Sequence, residues 1–179
     1  MTRALVLVLL VAASPAAAQS ALRHHNTDAP LDVDAKSIDV LDANGKAVFT
    51  GDVRVVQGDM KLNADSVTAF YSQPKNGRDR VINRIDAQNN VHLVTPSETA
   101  SGRYGIYDVD RRTVTLIGGV TLTQKGGSDL HGQRLAIDLD TGRARLDGGS
   151  TGPAAPGTTP APGGRVTGHF VVPQRNATN

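Results

Sequence analysis

A single Asp-Thr-Gly triplet, Asp140 to Gly142, is the stretch most similar to a catalytic motif, because aspartic proteases carry these residues beside aliphatic strands. Their chemistry needs two carboxylates that share one proton. The sequence holds one copy of the triplet, and Arg143 follows it where a small residue would be expected. Asp-Thr-Gly is also a common composition for a tight turn. We therefore interpret Asp140 as a turn residue and not as a catalytic acid.

Histidines and clustered acids do not form a metal-binding pattern either. His24 and His25 are adjacent, but no second pair of ligands follows at a useful spacing. Asp32, Asp34 and Asp39 lack the glycine and the terminal glutamate of a calcium loop, so we expect them to face solvent. The sequence contains no cysteine nucleophile and no phosphate-binding glycine loop. We expect no enzymatic activity and no cofactor.

The composition argues against nucleic acid as a partner and limits how the interior can be built. The 179 residues include 19 basic and 17 acidic ones, dispersed along the chain, for a net charge of +2. No cluster of Lys and Arg interleaved with aromatics occurs, so we expect no nucleic-acid partner. Hydrophobic residues make up 39% but aromatic residues only 3%. The interior must be built from Val, Ile and Leu, or be left partly open.

The first residues predict export. A short positive start at Arg3, an apolar run from Ala4 to Ala13 and the small residues before Gln19 predict a cleavable signal peptide over residues 1–18. The apolar run is too short to cross about 30 Å of hydrocarbon as a membrane anchor. Residues 19–29 are polar, and we expect them to form a flexible amino-terminus. Without cysteine, the exported chain cannot depend on disulfides.

The elements that follow are predicted to be antiparallel strands. From Pro30 to Leu146 apolar residues alternate with polar ones, with turn residues between the runs, and no stretch has helical periodicity. One phrase occurs three times, as GDVRV, NNVHL and GGVTL. At a matching distance after each phrase comes a small residue, Ala64, Gly102 or Gly132. The sequence therefore predicts an all-β fold of repeated strand pairs that share one apolar interior.

The carboxy-terminal part has a different composition. Residues 148–164 are rich in Gly, Pro, Ala and Thr, which is typical of a linker. Residues 165–179 contain the strand-like stretch RVTGHFVV and then a polar tail. This stretch either returns to the sheet or pairs with a neighbour.

Three features together resemble the OstA-like family. They are the predicted export, the pattern Ala-x-Phe-x-Gly-Asp-Val-x-Val followed by Gln-Gly over Ala47 to Gly58, and the small residue that opens each return strand. The resemblance extends over the domain formed by residues 30–147. It implies a twisted, partly open β-jellyroll in the periplasm. It also implies a carrier that shields the lipid A acyl chains of lipopolysaccharide and bridges the inner and outer membranes.

The resemblance also implies the partners. These are lipopolysaccharide through its lipid A moiety, the inner-membrane transport complex and the outer-membrane translocon of the same pathway. Family members are thought to stack end to end, which implies a head-to-tail homo-oligomer. Exposed sheet edges, normally an aggregation hazard, would provide the contact in such an assembly.

Inward positions of the alternating strands are the candidate lipid-binding residues. Each buried methylene contributes about 0.8 kcal/mol, so exposing an acyl chain of about a dozen carbons costs on the order of 10 kcal/mol. A carrier therefore needs a continuous apolar track. We expect this track to be lined by Phe49, Val53, Val55, Leu62, Val67, Val91, Leu93, Leu116, Val120, Leu122, Leu135 and Ile137. The alternative is a closed, dry core in a non-catalytic structural β-repeat module that binds no lipid.

Overall fold

The structure, a computed structural model, describes residues 25–72, 80–149 and 164–170. In chain order its strands are β1 (Leu31–Asp34), β2 (Ser37–Leu41), β3 (Lys46–Gln57), β4 (Met60–Ser72), β5 (Val81–Val94), β6 (Glu98–Asp108), β7 (Thr113–Gln124), β8 (Asp129–Asp138), β9 (Arg143–Asp147) and β10 (Thr167–His169). A short 3-10 helix, Asp42–Asn44, connects β2 to β3. The predicted signal peptide and most of the predicted linker lie outside these residues.

All of these strands belong to one antiparallel sheet. Strands β3 to β8 pair in chain order as successive hairpins. At one end of the sheet β1 and β2 both pair with β3, and at the other end β9 and β10 both pair with β8. The two ends do not pair with each other within the described residues. This is the all-β fold that the alternation predicted, in the form of the twisted, partly open β-jellyroll that the family resemblance implied.

Each of the long strands β3, β5 and β7 is interrupted by two successive residues in the left-handed region. The pairs are Gly51-Asp52 (φ 86° and 48°), Asn89-Asn90 (60° and 47°) and Gly118-Gly119 (92° and 67°). The pairing register shifts at these points, because each pair adds one residue relative to the neighbouring strand. Such bulges bend a strand sharply, and Gly, Asn and Asp tolerate the left-handed region best. The first two residues of the repeated phrase are therefore bend residues.

The small residue noted after each phrase lies directly opposite the valine that follows the bend. The pairs are Val53 with Ala64, Val91 with Gly102 and Val120 with Gly132. A Cβ on Gly132 would lie 2.8 Å from the Leu146 side chain, so there is no room for a larger residue. The register confirms the predicted repeat of strand pairs.

The bends fold the sheet into two facing layers. Layer 1 contains one half of each of the strands β3 to β8. It consists of the half of β3 with Val53, the half of β5 with Val91 and the segments of the other strands that continue the same pairing, together with β1 and β10. Layer 2 contains the other halves, together with β2 and β9. The margin opposite the bends, where the β3–β4 turn of layer 1 and the β6–β7 turn of layer 2 lie, is called the open margin below. A hydrogen bond of 2.9 Å from the Tyr107 hydroxyl to Gln57 Oε1 joins the layers there.

The predicted turns and edge strands occur where the sequence indicated them. Gly45, with φ 57°, ends the β2–β3 connection, and its N–H bonds to Asp42. β1 ends at Asp34 and β2 begins at Ser37. The strand-like carboxy-terminal stretch returns to its own sheet, where β10 pairs with Asp129 to His131 of β8. Gly149 and Gly164, at the two ends of the linker, lie against each other.

We predict that Gly118→Ala lowers the free energy of unfolding by about 1–2 kcal/mol. The reason is that Gly118 has a φ of 92° and an added Cβ would lie 2.9 Å from the Cβ of Arg103. Chemical denaturation of the purified chain measures the change. Gly126→Ala is the matched control, because nothing lies within 4 Å of its added Cβ. Equal stability of the two variants would contradict the strained-bend account.

Candidate functional site

The candidate lipid-binding residues share one face of the folded sheet. Eleven of the twelve are buried members of a single hydrophobic cluster, and Phe49 is partly buried and packs against it. Val53, Leu116 and Leu135 are 0% exposed. The structure therefore brings the predicted residues together on the inner surface. Among the described residues, Tyr107 is the one aromatic residue in the buried class and Phe49 is partly buried, so the interior is built almost entirely from aliphatic side chains.

That interior is nearly filled. Between the layers lies a cavity of about 20 Å³, lined by apolar residues of both layers and by Gln57 and Tyr107. Such a volume holds about one water molecule. The glycine at 105 keeps the inner wall close, since a Cβ there would lie 3.0 Å from Val91 and 3.2 Å from Leu116. An acyl chain can enter this interior only if the two layers move apart.

The inner surface continues to the end of layer 2, where it is uncovered. Ile38 and Val40 of β2 pair with Phe49 and Ala47, which belong to the inner face of β3. They are nevertheless 54% and 51% exposed. Because successive residues of a strand point to opposite faces, these two side chains extend the apolar track beyond the closed core.

A buried polar network crosses the open margin. The side chain of His25 is 0% exposed, with Nδ1 3.0 Å from Asp59 Oδ1 and Nε2 3.1 Å from Gln57 Oε1. Gln57 is 2% exposed, and its amide nitrogen donates to the carbonyl oxygens of Thr27 and Ala29 at 2.9 and 3.0 Å. Residues 25–29 lie in the segment expected to be flexible, and here they have defined partners.

Burial raises the pKa of the Tyr107 phenol. The phenol therefore keeps its proton at neutral pH and donates it to Gln57 Oε1. This bond ties β6 of layer 2 to the end of β3 in layer 1. It satisfies the one polar atom that Tyr107 brings into an otherwise apolar interior.

The Asp-Thr-Gly triplet forms the β8–β9 turn. Asp140 is exposed and accepts a hydrogen bond of 3.1 Å from Arg112, whose other terminal nitrogen lies 3.6 Å from Asp28. The Thr141 N–H donates to Asp138 and holds the pKa of that carboxyl below its usual value. The triplet therefore serves as a turn.

Metal-ligating residues are dispersed in the described part of the chain. No group of three His, Asp or Glu side chains there is close enough to hold a metal ion. Asp32, Asp34 and Asp39 are exposed to solvent, as predicted. Among residues 25–72, 80–149 and 164–170, no helix is long and apolar enough to span a membrane.

The two ends of the sheet carry opposite charge. The end formed by β1 and β2 exposes Asp32, Asp34 and Asp39. At the other end, β9 exposes Arg143 and Arg145. Strands β2 and β9 each have five residues, and among the residues that the structure describes each forms an unpaired edge of layer 2. Unpaired edges of a sheet can accept a further strand.

Comparison with known proteins shows the class to which this folded jellyroll belongs. The chain matches the family described as LptA/(LptD N-terminal domain) LPS transport protein over residues 32–143. The crystal structure of LptH, described as the LptA-homologous periplasmic component of the conserved lipopolysaccharide transport device of Pseudomonas aeruginosa, has the same fold. Its TM-score is 0.64 at 24% sequence identity, with 81% of this chain and 97% of that chain covered.

The comparison of sequences also finds LptH. The lipopolysaccharide export system protein LptH of Pseudomonas aeruginosa is 31% identical over 124 residues, or 64% of this chain and 69% of the relative. An uncharacterised protein of Rhizobium meliloti is 34% identical over 128 residues, or 68% of this chain and 67% of the relative. The chain belongs to the LptA/LptD amino-terminal-domain family of lipopolysaccharide transport proteins. Its role is in lipopolysaccharide transport.

Sequence reasoning missed the network at the open margin. Gln57 is the last residue of β3, and Gly58-Asp59 form the turn that follows it. The signal was present, because Gln57 continues the inward parity of Val53 and Val55. His25 could not have been found in this way, because its partners lie more than thirty residues away in the sequence.

We predict that Leu116→Ala lowers the free energy of unfolding by about 2–5 kcal/mol, because it leaves a cavity in a filled core. Ile117→Ala is the control on the next residue of the same strand, which points outward and is 38% exposed. We expect its effect to stay within about 1 kcal/mol. Denaturant titration of both variants makes the comparison. Similar losses would mean that the inner face is not the packed one.

Proposed function

We propose that the chain is a periplasmic carrier whose inner surface shields lipid A acyl chains as lipopolysaccharide moves from the inner to the outer membrane. The observation that carries the proposal is the continuous aliphatic inner face of a folded sheet whose ends, in the described part of the chain, do not pair with each other. Membership of the transport family supports it. The twelve candidate residues named from the sequence are its proposed lining.

The closed state of the interior sets a condition on this function. A cavity of about 20 Å³ cannot hold an acyl chain, so lipid must separate the layers at the open margin, opposite the bends. Separation exposes apolar side chains to water. An acyl chain between the layers covers these side chains again, and each methylene that it buries contributes about 0.8 kcal/mol of stabilisation. We therefore propose that lipid replaces contacts between layers 1 and 2. The alternative, a structural module without lipid binding, would keep those contacts permanently.

A photo-crosslinking amino acid at Val53 or Leu122 should capture lipopolysaccharide in cells. Both residues are buried on the inner face, at 0% and 4% exposure. The matched controls are Arg54 and Thr121, which are adjacent to them on the same strands and point outward. Immunoblotting for lipopolysaccharide on the purified chain measures capture. Equal capture at inner and outer positions would refute the proposed lining.

We further propose that copies of the chain associate head to tail, with β9 of one copy against β2 of the next. Strand directions permit this, because β2 is antiparallel to β3, β9 is antiparallel to β8, and five successive antiparallel pairings connect β3 to β8. β9 and β2 therefore meet antiparallel. In the centred register Asp39 lies opposite Arg145, while Ile38 and Val40 face Leu146 and Ala144. The apolar inner surface then continues from one copy to the next.

Charge reversal tests this junction. Asp39→Arg and Arg145→Asp should each weaken self-association about tenfold, because each places like charges opposite each other. The double variant should recover most of the loss, and analytical ultracentrifugation measures all three. Asp110→Arg, at an exposed position in the β6–β7 turn, is the control. Weakening that the double variant does not relieve would place the junction elsewhere. The inner-membrane complex and the outer-membrane translocon are the proposed partners at the two ends of the bridge.

A further inference from the structure

The orientation of the Gln57 amide is determined by its surroundings. Its nitrogen faces two backbone carbonyl oxygens, of Thr27 and Ala29, at 2.9 and 3.0 Å. Carbonyl oxygens only accept hydrogen bonds, so the atom facing them must be the donating nitrogen. The other amide atom is therefore the oxygen, and it accepts the hydroxyl hydrogen of Tyr107.

This orientation leaves His25 between two acceptors. Nε2 lies 3.1 Å from Gln57 Oε1, and Nδ1 lies 3.0 Å from a carboxylate oxygen of Asp59. A neutral imidazole has one N–H, so one of these contacts would then bring a nitrogen lone pair against an acceptor. The side chain of His25 is 0% exposed, so water does not replace the missing donor. Beside a carboxylate at Asp59, only the imidazolium, with two N–H groups, satisfies both contacts.

We propose that His25 is a doubly protonated clasp that holds the open margin closed and pins residues 25–31 across it. The cation joins the β3–β4 turn through Asp59 and the end of β3 through Gln57. Gln57 passes the connection to Tyr107 in layer 2. Leu31, at the end of the pinned segment, lines the apolar cavity together with residues of both layers. The clasp therefore closes the side of the interior at which the layers can separate.

The charged groups around the clasp determine its response to pH. Asp59 is the anion in direct contact with His25, and Asp28 on the pinned segment is bound by Arg112 of the β6–β7 turn. Tyr107 is the remaining titratable group in the network. Loss of the ring proton leaves Asp59 or Gln57 Oε1 facing a lone pair, so the clasp weakens as pH rises.

Nitrogen NMR of the labelled mature chain tests the protonation state directly. At neutral pH both ring nitrogens of His25 should have the shifts of protonated imidazolium nitrogens. His131, whose exposed ring is hydrogen-bonded to Thr121, is the reference histidine in the same sample. A His25 ring with one unprotonated nitrogen at neutral pH would overturn the proposal. This measurement needs no variant, so it stands even if a substitution impairs folding.

Hydrogen exchange tests the mechanical role. His25→Ala should speed exchange of the amides in residues 26–34 about tenfold, because a charge-assisted hydrogen bond and its neighbour are lost. Asp59→Asn, which removes the counter-charge but keeps the shape, should speed the same amides by a smaller factor. His131→Ala is the matched control and should leave them unchanged. If His25→Ala exchanges like the wild type in this segment, the clasp does not exist.

The effect of the clasp on lipid entry rests on the proposed function. Combining His25→Ala with the crosslinker at Val53 should increase lipid capture several-fold over the crosslinker alone. Ring protonation and exchange are measured on the lipid-free chain. A failed clasp is therefore distinguishable from a failure to bind lipid.

Discussion

The fold depends on bends that the long strands β3, β5 and β7 make at matching positions in the sheet. A flat antiparallel sheet of strands this long would expose one apolar face to water along its whole length. Exposing so much apolar surface is unfavourable. The left-handed pairs at Gly51-Asp52, Asn89-Asn90 and Gly118-Gly119 remove the problem. They fold the sheet so that each half covers the other. The valine after each bend then lies at the inner corner, opposite a residue small enough to permit the turn.

The aliphatic interior follows from that geometry. Two layers that share a bend converge toward the corner, where the valine after each bend faces Ala64, Gly102 or Gly132, and the surrounding interior is filled mainly by Val, Leu, Ile and Ala. A core of this kind has few directional contacts. Its cohesion comes from buried area, which an acyl chain can supply as well as a protein side chain. The same interior can therefore be a dry core when empty and an apolar surface for lipid when the layers separate.

The polar network differs from the core because its geometry is specific. Gln57 uses its carbonyl and both amide hydrogens, and Tyr107 brings a hydroxyl whose burial raises its pKa. Hydrogen bonds in an apolar environment are strong when all are made and costly when one is missing. At the open margin, layers 1 and 2 are thus joined by a few directional hydrogen bonds, whereas at the bends they are joined by the covalent chain itself. This difference decides on which side the fold can open.

The sequence by itself determined the class of fold, the repeat and the inner face. Period-two alternation specifies which side chains share a face, so eleven of the twelve predicted residues are buried together. Local chemistry also predicted the turn at Asp140 to Gly142. Only the tertiary structure decided that the repeated phrase is a bend and that Ile38 and Val40 remain uncovered. It also decided that His25 meets Asp59, Gln57 and, through it, Tyr107. Alternation shows on which face of a strand a side chain lies, but it does not show which distant residues that side chain contacts. Contacts that form only when the sheet folds therefore leave no periodic pattern in the sequence.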